Sequence, residues 1–218
     1  MARRLVNITL DNLDDLPPRC RGCVFWELDP VSGDRARSTG GTELEKEAWL
    51  SDTLLEWGSC GHLLYVDSAP AGYILYAPAA YVPRAVAFPT SPVSPDAVLL
   101  MTARLMPEFT GGGLGRTLVQ AVVRDVSRRG VKAIEAFGRI DPAPGPDVAA
   151  PPQRHERPEH SCLLPADYLL SVGFKTVRPH PRTPRLRLDL KSVASWREDV
   201  EYALDKLFSS IQAPALSR

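Results

Sequence analysis

Thr102-Ala103-Arg104-Leu105-Met106-Pro107-Glu108-Phe109-Thr110-Gly111-Gly112-Gly113-Leu114-Gly115-Arg116-Thr117-Leu118 joins a strand, a turn and a helix in one stretch. The residues over 97–105 are apolar enough for a strand in the middle of a sheet. From Leu114 onward, Leu118, Val119, Val122, Val123 and Val126 recur at helical spacing with Arg124, Arg128 and Arg129 opposite, and Gly130 closes the pattern. Between the two stand four glycines in five positions. Such an arrangement is an anion site: the first-turn amides lack intrahelical partners, the helix macrodipole favours negative charge, and glycine lets phosphate oxygens come close. A Walker A loop needs a Gly-Lys-Ser/Thr ending, whereas Arg116 and Thr117 follow Gly115. A dinucleotide fingerprint also fails, because Gly111 and Gly113 lead to Arg116, while Gly113 and Gly115 lead to Leu118. A flexible turn that binds nothing is the plain alternative, and the flanking strand and amphipathic helix argue against it.

Outward from the turn, the elements fall into order. Strands are expected over 4–9, 62–66 and 72–76, the last two joined by a hairpin at Asp67-Ser68-Ala69-Pro70-Ala71. Residues over 29–41 read as loop. Thr42 then caps a helix through a Thr42-Glu45 capping box, with Leu44, Trp49, Leu54 and Leu55 on its apolar side and Gly58 at its end. A proline-rich connection over 78–95 precedes the central strand, and a strand over 131–137 follows the helix. The loop over 139–161 is longer than the ~12 to 15 residues usual in compact domains. A short helix over 165–172, closing strands over 174–190 and a capped helix over 195–207 complete the chain.

At 218 residues the chain suits one generous domain, expected over 1–190 with its core at 60–190, a preceding segment over 1–59, and a helix and tail over 191–218. Twenty-six basic and 26 acidic side chains cancel, so no global field collects nucleic acid or anionic membrane. No apolar run is long enough to span a bilayer or form a signal peptide, making cytoplasm the expected address and reduced thiols the expected state of the four cysteines. The arginine, alanine and proline bias resembles that of GC-rich bacterial genomes.

The turn and its surroundings resemble the coenzyme A signature of the GNAT acetyltransferases, whose pattern is Arg/Gln-x-x-Gly-x-Gly/Ala. Gly113 and Gly115 match its glycines, and Thr110 stands at the first polar position. Asp167-Tyr168-Leu169-Leu170-Ser171-Val172-Gly173-Phe174 resembles the helix ending in Gly-Phe before that family's closing strands. The resemblance implies an α/β (α+β) fold: a mixed, mostly antiparallel sheet flanked by helices, its two central strands splayed to admit the pantetheine arm. It further implies that backbone groups of Ala103 and Leu105 pair with that arm, while Thr110, Gly111, Gly112, Gly113, Leu114, Gly115 and Arg116 surround the pyrophosphate. The implied activity is transfer of an acetyl group from acetyl-coenzyme A to a primary amine of unidentified acceptor. A coenzyme A-binding module without chemistry is the rival reading. No metal is required.

Acyl transfer needs a base and a donor to the departing thiolate. The family's usual tyrosine position is Leu169, leaving Tyr168 as the candidate donor one helix position away. Glu135, in an apolar strand, is the candidate base; His155 and His160 are alternatives on the long loop. Cys20 and Cys23 form a pair that Cys60 and His62 complete as a zinc site, act as a redox couple, or remain inert thiols. The last helix offers a surface for a homodimer.

Overall fold

The computed structural model describes residues 2–110, 112–141 and 162–190. In chain order, β1 (Arg3–Asn7) leads to α1 (Pro18–Arg21), α2 (Pro30–Thr39) and α3 (Thr42–Glu56), then β2 (Gly61–Val66), β3 (Ala69–Pro78) and β4 (Ala97–Leu105). There follow α4 (Leu114–Arg128), β5 (Ala133–Arg139), β6 (Leu164–Pro165), α5 (Ala166–Ser171), β7 (Lys175–Arg178) and β8 (Arg185–Asp189). The strands make one mixed sheet in the order β1-β2-β3-β4-β5-β8-β7, with β6 added to β5. β4 and β5 run parallel, as do β5 and β6, and the remaining pairs are antiparallel. The mostly antiparallel α/β architecture expected from the sequence is the one observed. Gly111, His155, His160, most of the long loop and the helix expected from Ser195, with any homodimer it forms, lie outside the described residues.

Two adjacent parallel strands need a crossover, and α4 supplies it. Its apolar stripe, Leu118, Val119, Val122 and Val126, is buried against Leu64, Ile74, Leu100, Ile134 and Leu186 on one face of the sheet. The far end of α4 is tied to β3 by Tyr76, whose hydroxyl donates to Asp125 Oδ2 at 2.6 Å, and Asp125 in turn pairs with Arg129 at 2.8 Å. These bonds fix the helix axis, and through it the direction in which the glycine turn faces.

The opposite face is covered by the segment before β2. Asp29 caps α2 by accepting from the amides of Val31 and Ser32, Pro30 starts the helix, and Gly40 ends it in the left-handed region at φ 73. A helix therefore stands where a loop over 29–41 was expected. α3 begins with Gly41 as its N-cap and Thr42 as its first helical residue, with no side-chain cap bond, so the expected capping box does not form. Its phase is rotated from the sequence reading: Trp49 and Leu54 pack on the core as expected, but Leu44 and Leu55 are exposed, whereas Lys46, Leu50 and Thr53 are buried. The reason is an ion pair. Lys46 Nζ bonds Glu27 Oε1 inside the protein and also donates to the Cys23 carbonyl at 3.1 Å, while Glu27 Oε2 accepts the Trp26 amide. A buried lysine with its charge and donors satisfied turns a nominally polar face of α3 inward.

β4 and β5 are paired only where Ala97, Val98 and Leu99 meet Ala133, Ile134 and Glu135. Beyond that point the strands part. β5 takes up β6 at Gly138 and Arg139, and β4 continues along β3 to Leu105. An irregularity at Met101 separates the pairs Tyr76–Leu100 and Leu75–Thr102. Val98 and Leu100 before it, and Ala103 and Leu105 after it, all face the α4 side, so the extra residue shifts the side-chain phase by one. The result is a cleft through the sheet, opening toward the α4 amino terminus.

Candidate functional site

Gly113 is the N-cap of α4 and sits at φ 72, ψ 4, a left-handed conformation that side chains resist. Its carbonyl accepts the Thr117 amide at 3.2 Å, which starts the helix and leaves the amides of Leu114, Gly115 and Arg116 without intrahelical acceptors. A Cβ placed on Gly112 or Gly113 would meet no atom within 4 Å, so the turn is open at both positions. Leu114 is buried and anchors the helix into the core, while Thr110 donates its hydroxyl to the Pro107 carbonyl at 2.9 Å. Arg116 is exposed and reaches toward the Ser171 carbonyl at 3.4 Å. The turn thus offers oriented amides, the positive end of a 15-residue helix and one guanidinium.

Gly115 differs from Gly112 and Gly113. A Cβ there would lie 2.9 Å from the Tyr168 hydroxyl, so Gly115 makes room for that phenol. Tyr168 Oη is buried without a hydrogen-bond partner among the described residues, and burial pushes its pKa up, so it keeps its proton. An unpaired donor beside the first turn of α4 is costly unless something else accepts from it. Leu169, at the family's usual tyrosine position, is fully buried beneath α5.

The backbone of β4 beyond the fork is aimed by simple alternation. The Met106 amide bonds the Ala71 carbonyl at 2.9 Å, toward β3, and Arg104 faces the same way. Ala103 and Leu105, one residue out of step, turn their N–H and C=O groups toward the cleft.

Glu135 is not placed as a free base. It has no solvent exposure, and its carboxylate is fully engaged: Oε2 accepts from Arg185 Nη1 and from the Ser94 amide at 3.1 Å, Oε1 from Arg187 Nη1 at 3.2 Å. Arg187 also grips Asp96 with two bonds of 2.9 and 2.8 Å. The sequence reading foresaw a desolvated carboxylate; the arginines that neutralise it lie more than 45 positions away in β8, at distances in the chain that no local pattern encodes.

On the face opposite α4, Trp26, Phe88 and Phe137 stack beside the cleft, with Phe88 and Phe137 centroids 4.3 Å apart at 12°. Behind Phe88 lies a pocket of about 230 Å³ bordered by Phe25, Arg84, Phe88, His180, Arg182 and Thr183. The Arg84 guanidinium covers the Phe25 ring at 4.6 Å. His180 Nδ1 accepts from the amides of Arg182 and Thr183 at 3.2 and 3.0 Å, so the neutral imidazole carries its proton on Nε2 and acts there as a donor.

The residues of the zinc reading are dispersed. Cys60 lies in the core layer under α3, its thiol pushed up to about 12 by burial, whereas His62 faces the other side of β2 and touches the Tyr76 hydroxyl at 3.2 Å. Cys23 instead meets Cys162. Among the described residues no group of three or more His, Cys, Asp or Glu is placed to hold a metal, and no helix is long and apolar enough to cross a membrane.

No protein-family model and no curated protein matches the sequence. Solved structures do match in fold. An N-acetyltransferase named PaiA from Thermoplasma acidophilum, in complex with coenzyme A, aligns with a TM-score of 0.52 at 11% identity over 87% of this chain and 99% of that one. The loading GNATL domain of CurA from Lyngbya majuscula gives 0.52 at 14% identity, covering 88% and 100%. An N-acetyltransferase from Staphylococcus aureus gives 0.51 at 10% identity, covering 87% and 99%. A forked mixed sheet with a glycine-capped crossover helix at the fork defines a GNAT-type scaffold. The chain has the GNAT acetyltransferase fold.

Glu135→Gln removes the buried countercharge of Arg185, while Arg187 keeps Asp96 and Asp189, and an uncompensated buried charge costs about 3 to 5 kcal/mol. Denaturant unfolding is expected to show a loss of that size; a variant as stable as the parent that has lost turnover alone would restore Glu135 as the base.

Proposed function

We propose that the protein is an N-acetyltransferase that moves an acetyl group from acetyl-coenzyme A to a primary amine. The observation that carries this reading is the fork between β4 and β5 leading to an open, left-handed glycine cap on α4. A pantetheine arm has the length and the amide groups to add to the cleft-facing backbone of Ala103 and Leu105 as a further strand does. Its pyrophosphate then reaches the amides of the turn from Thr110 to Arg116. The turnover step forms a C–N bond between the amine and the thioester carbonyl and breaks the C–S bond. The amine must arrive neutral, and the thiolate must take up a proton.

For the acceptor, the pocket behind Phe88 is the favoured entrance, because the Phe88 ring on its border stacks on Phe137 of β5. Two guanidiniums and the His180 Nε2 proton border it, and no described carboxylate does, which suits an acceptor carrying an acidic group better than a polycation. Tyr168 holds its proton and offers it beside Gly115. The second reading, a coenzyme A-binding module without turnover, is favoured by the committed carboxylate of Glu135 and by Leu169 at the usual tyrosine position.

Gly112→Val is the sharpest variant at the turn, since its Cβ meets nothing in the free protein and, on the proposed reading, would stand where the pyrophosphate lies. Calorimetric titration is expected to show coenzyme A affinity falling roughly 100-fold, about 2.7 kcal/mol, with thermal stability unchanged; undiminished affinity removes the cofactor assignment. Tyr168→Phe is expected to stabilise the ligand-free protein by about 1 kcal/mol while weakening coenzyme A about fivefold, because the lone hydroxyl finds its acceptor only on the ligand. If affinity is unchanged and only turnover of acetyl-coenzyme A with an amine panel falls, the phenol serves the departing sulfur instead. Binding without thiol release from any amine favours the second reading.

A further inference from the structure

Cys23 and Cys162 stand 139 positions apart in the chain, and their sulfurs lie 3.3 Å from each other. The fold holds both backbones in place. Cys23 follows α1, its amide bonded to the Cys20 carbonyl at 3.3 Å and its carbonyl to Lys46 Nζ at 3.1 Å. Cys162 accepts the Trp26 indole N–H at 3.4 Å, and the next carbonyl, of Leu163, accepts from Arg139 at 3.1 Å. Cys23 and Cys162 are both half-buried residues, whereas Cys20 and Cys60 are buried in the core.

The pair is chemically unequal in the way thiol exchange requires. The Cys23 thiol is lowered to about 6, chiefly by the hydrogen bond from Cys162, with the Lys46 ammonium adding to the effect and burial and Glu27 opposing it. At neutral pH Cys23 is therefore mostly thiolate, with a second sulfur in contact to resolve whatever it attacks. Cys60 is pushed up to about 12 and stays a thiol.

We propose that Cys23 and Cys162 form a dithiol site that reacts with small-molecule disulfides and closes into an intramolecular bridge. The Cys23 thiolate attacks one sulfur of the small disulfide, whose S–S bond breaks as one thiolate leaves, giving a mixed disulfide on Cys23. Cys162 loses its proton to solvent and attacks the Cys23 sulfur, expelling the second small thiolate. Two protein thiols are oxidised by two electrons in total, and the small disulfide is reduced to two thiols. The bridge ties the turn after α1 to the residue two positions before β6, beside Trp26 and the aromatic stack. It stands independently of the acetyltransferase reading.

The test uses the full chain, oxidised glutathione and peptide mapping under non-reducing conditions. The expected result is a Cys23–Cys162 linked peptide lacking two hydrogens, retained in Cys20→Ala and lost in Cys23→Ser and Cys162→Ser. Alkylation of Cys23 in the reduced protein is expected to rise with pH through a midpoint near 6, and to move upward toward the ordinary thiol range in Cys162→Ala. A Cys20–Cys23 bridge, a glutathione adduct on Cys23 that never resolves, or protein that stays fully reduced overturns the proposal.

Discussion

β4 and β5 run together for three paired positions and then separate, and the point of separation is where Glu135 is clamped between Arg185 and Arg187. Parting two central strands exposes backbone groups that a continuous ladder would have satisfied, so the sheet needs an independent hold at the fork. The charge cluster provides it. Arg187 joins Glu135 on β5 to Asp96 just before β4, and the Ser94 amide closes the group from the same side. One carboxylate thus connects three strands' worth of backbone at the only level where β4 and β5 still touch. Burying charge in this way is expensive, and replacing one partner is far worse than replacing all, which makes the cluster specific to this geometry.

Everything on the candidate ligand path follows from that fork. Its α4 side delivers the cap at Gly113, the open Gly112 and the Tyr168 hydroxyl against Gly115. Its other side is closed by the segment before β2, which is itself held by the buried Lys46–Glu27 pair and the Trp26–Phe88–Phe137 stack. In the proposed function, a cofactor at the helix terminus and an acceptor at the aromatic face would meet through the sheet rather than at its edge.

The strand, turn and helix over 97–129 were legible because each is written in local sequence: an apolar run, a glycine cluster holding the left-handed Gly113, and a helical stripe. The mostly antiparallel order of the sheet followed from the hairpin and from the family resemblance. What escaped reading was set by contacts distant in the chain. Lys46 looked like solvent-facing polarity because its partner Glu27 sits on another element; of the apolar side assigned to α3, Trp49 and Leu54 pack on the core while Leu44 and Leu55 face solvent. α2 was missed although Asp29, Pro30 and Gly40 mark its ends, since its interior is polar and carries little periodicity. Glu135 was recognised as desolvated but not as neutralised. Cys23 was weighed against Cys20, the neighbour in sequence, whereas its neighbour in space is Cys162.

Residue-resolved hydrogen–deuterium exchange of the full chain, with and without coenzyme A, reads the fork directly. The amides of Ala103 and Leu105, aimed into the cleft, are expected to exchange freely without ligand and to become protected together with those of Gly112 to Arg116 when coenzyme A is added, while β2 stays as it was. Protection confined to the pocket behind Phe88, or no change along β4 at saturating ligand, would show that the parted strands do not receive the pantetheine arm.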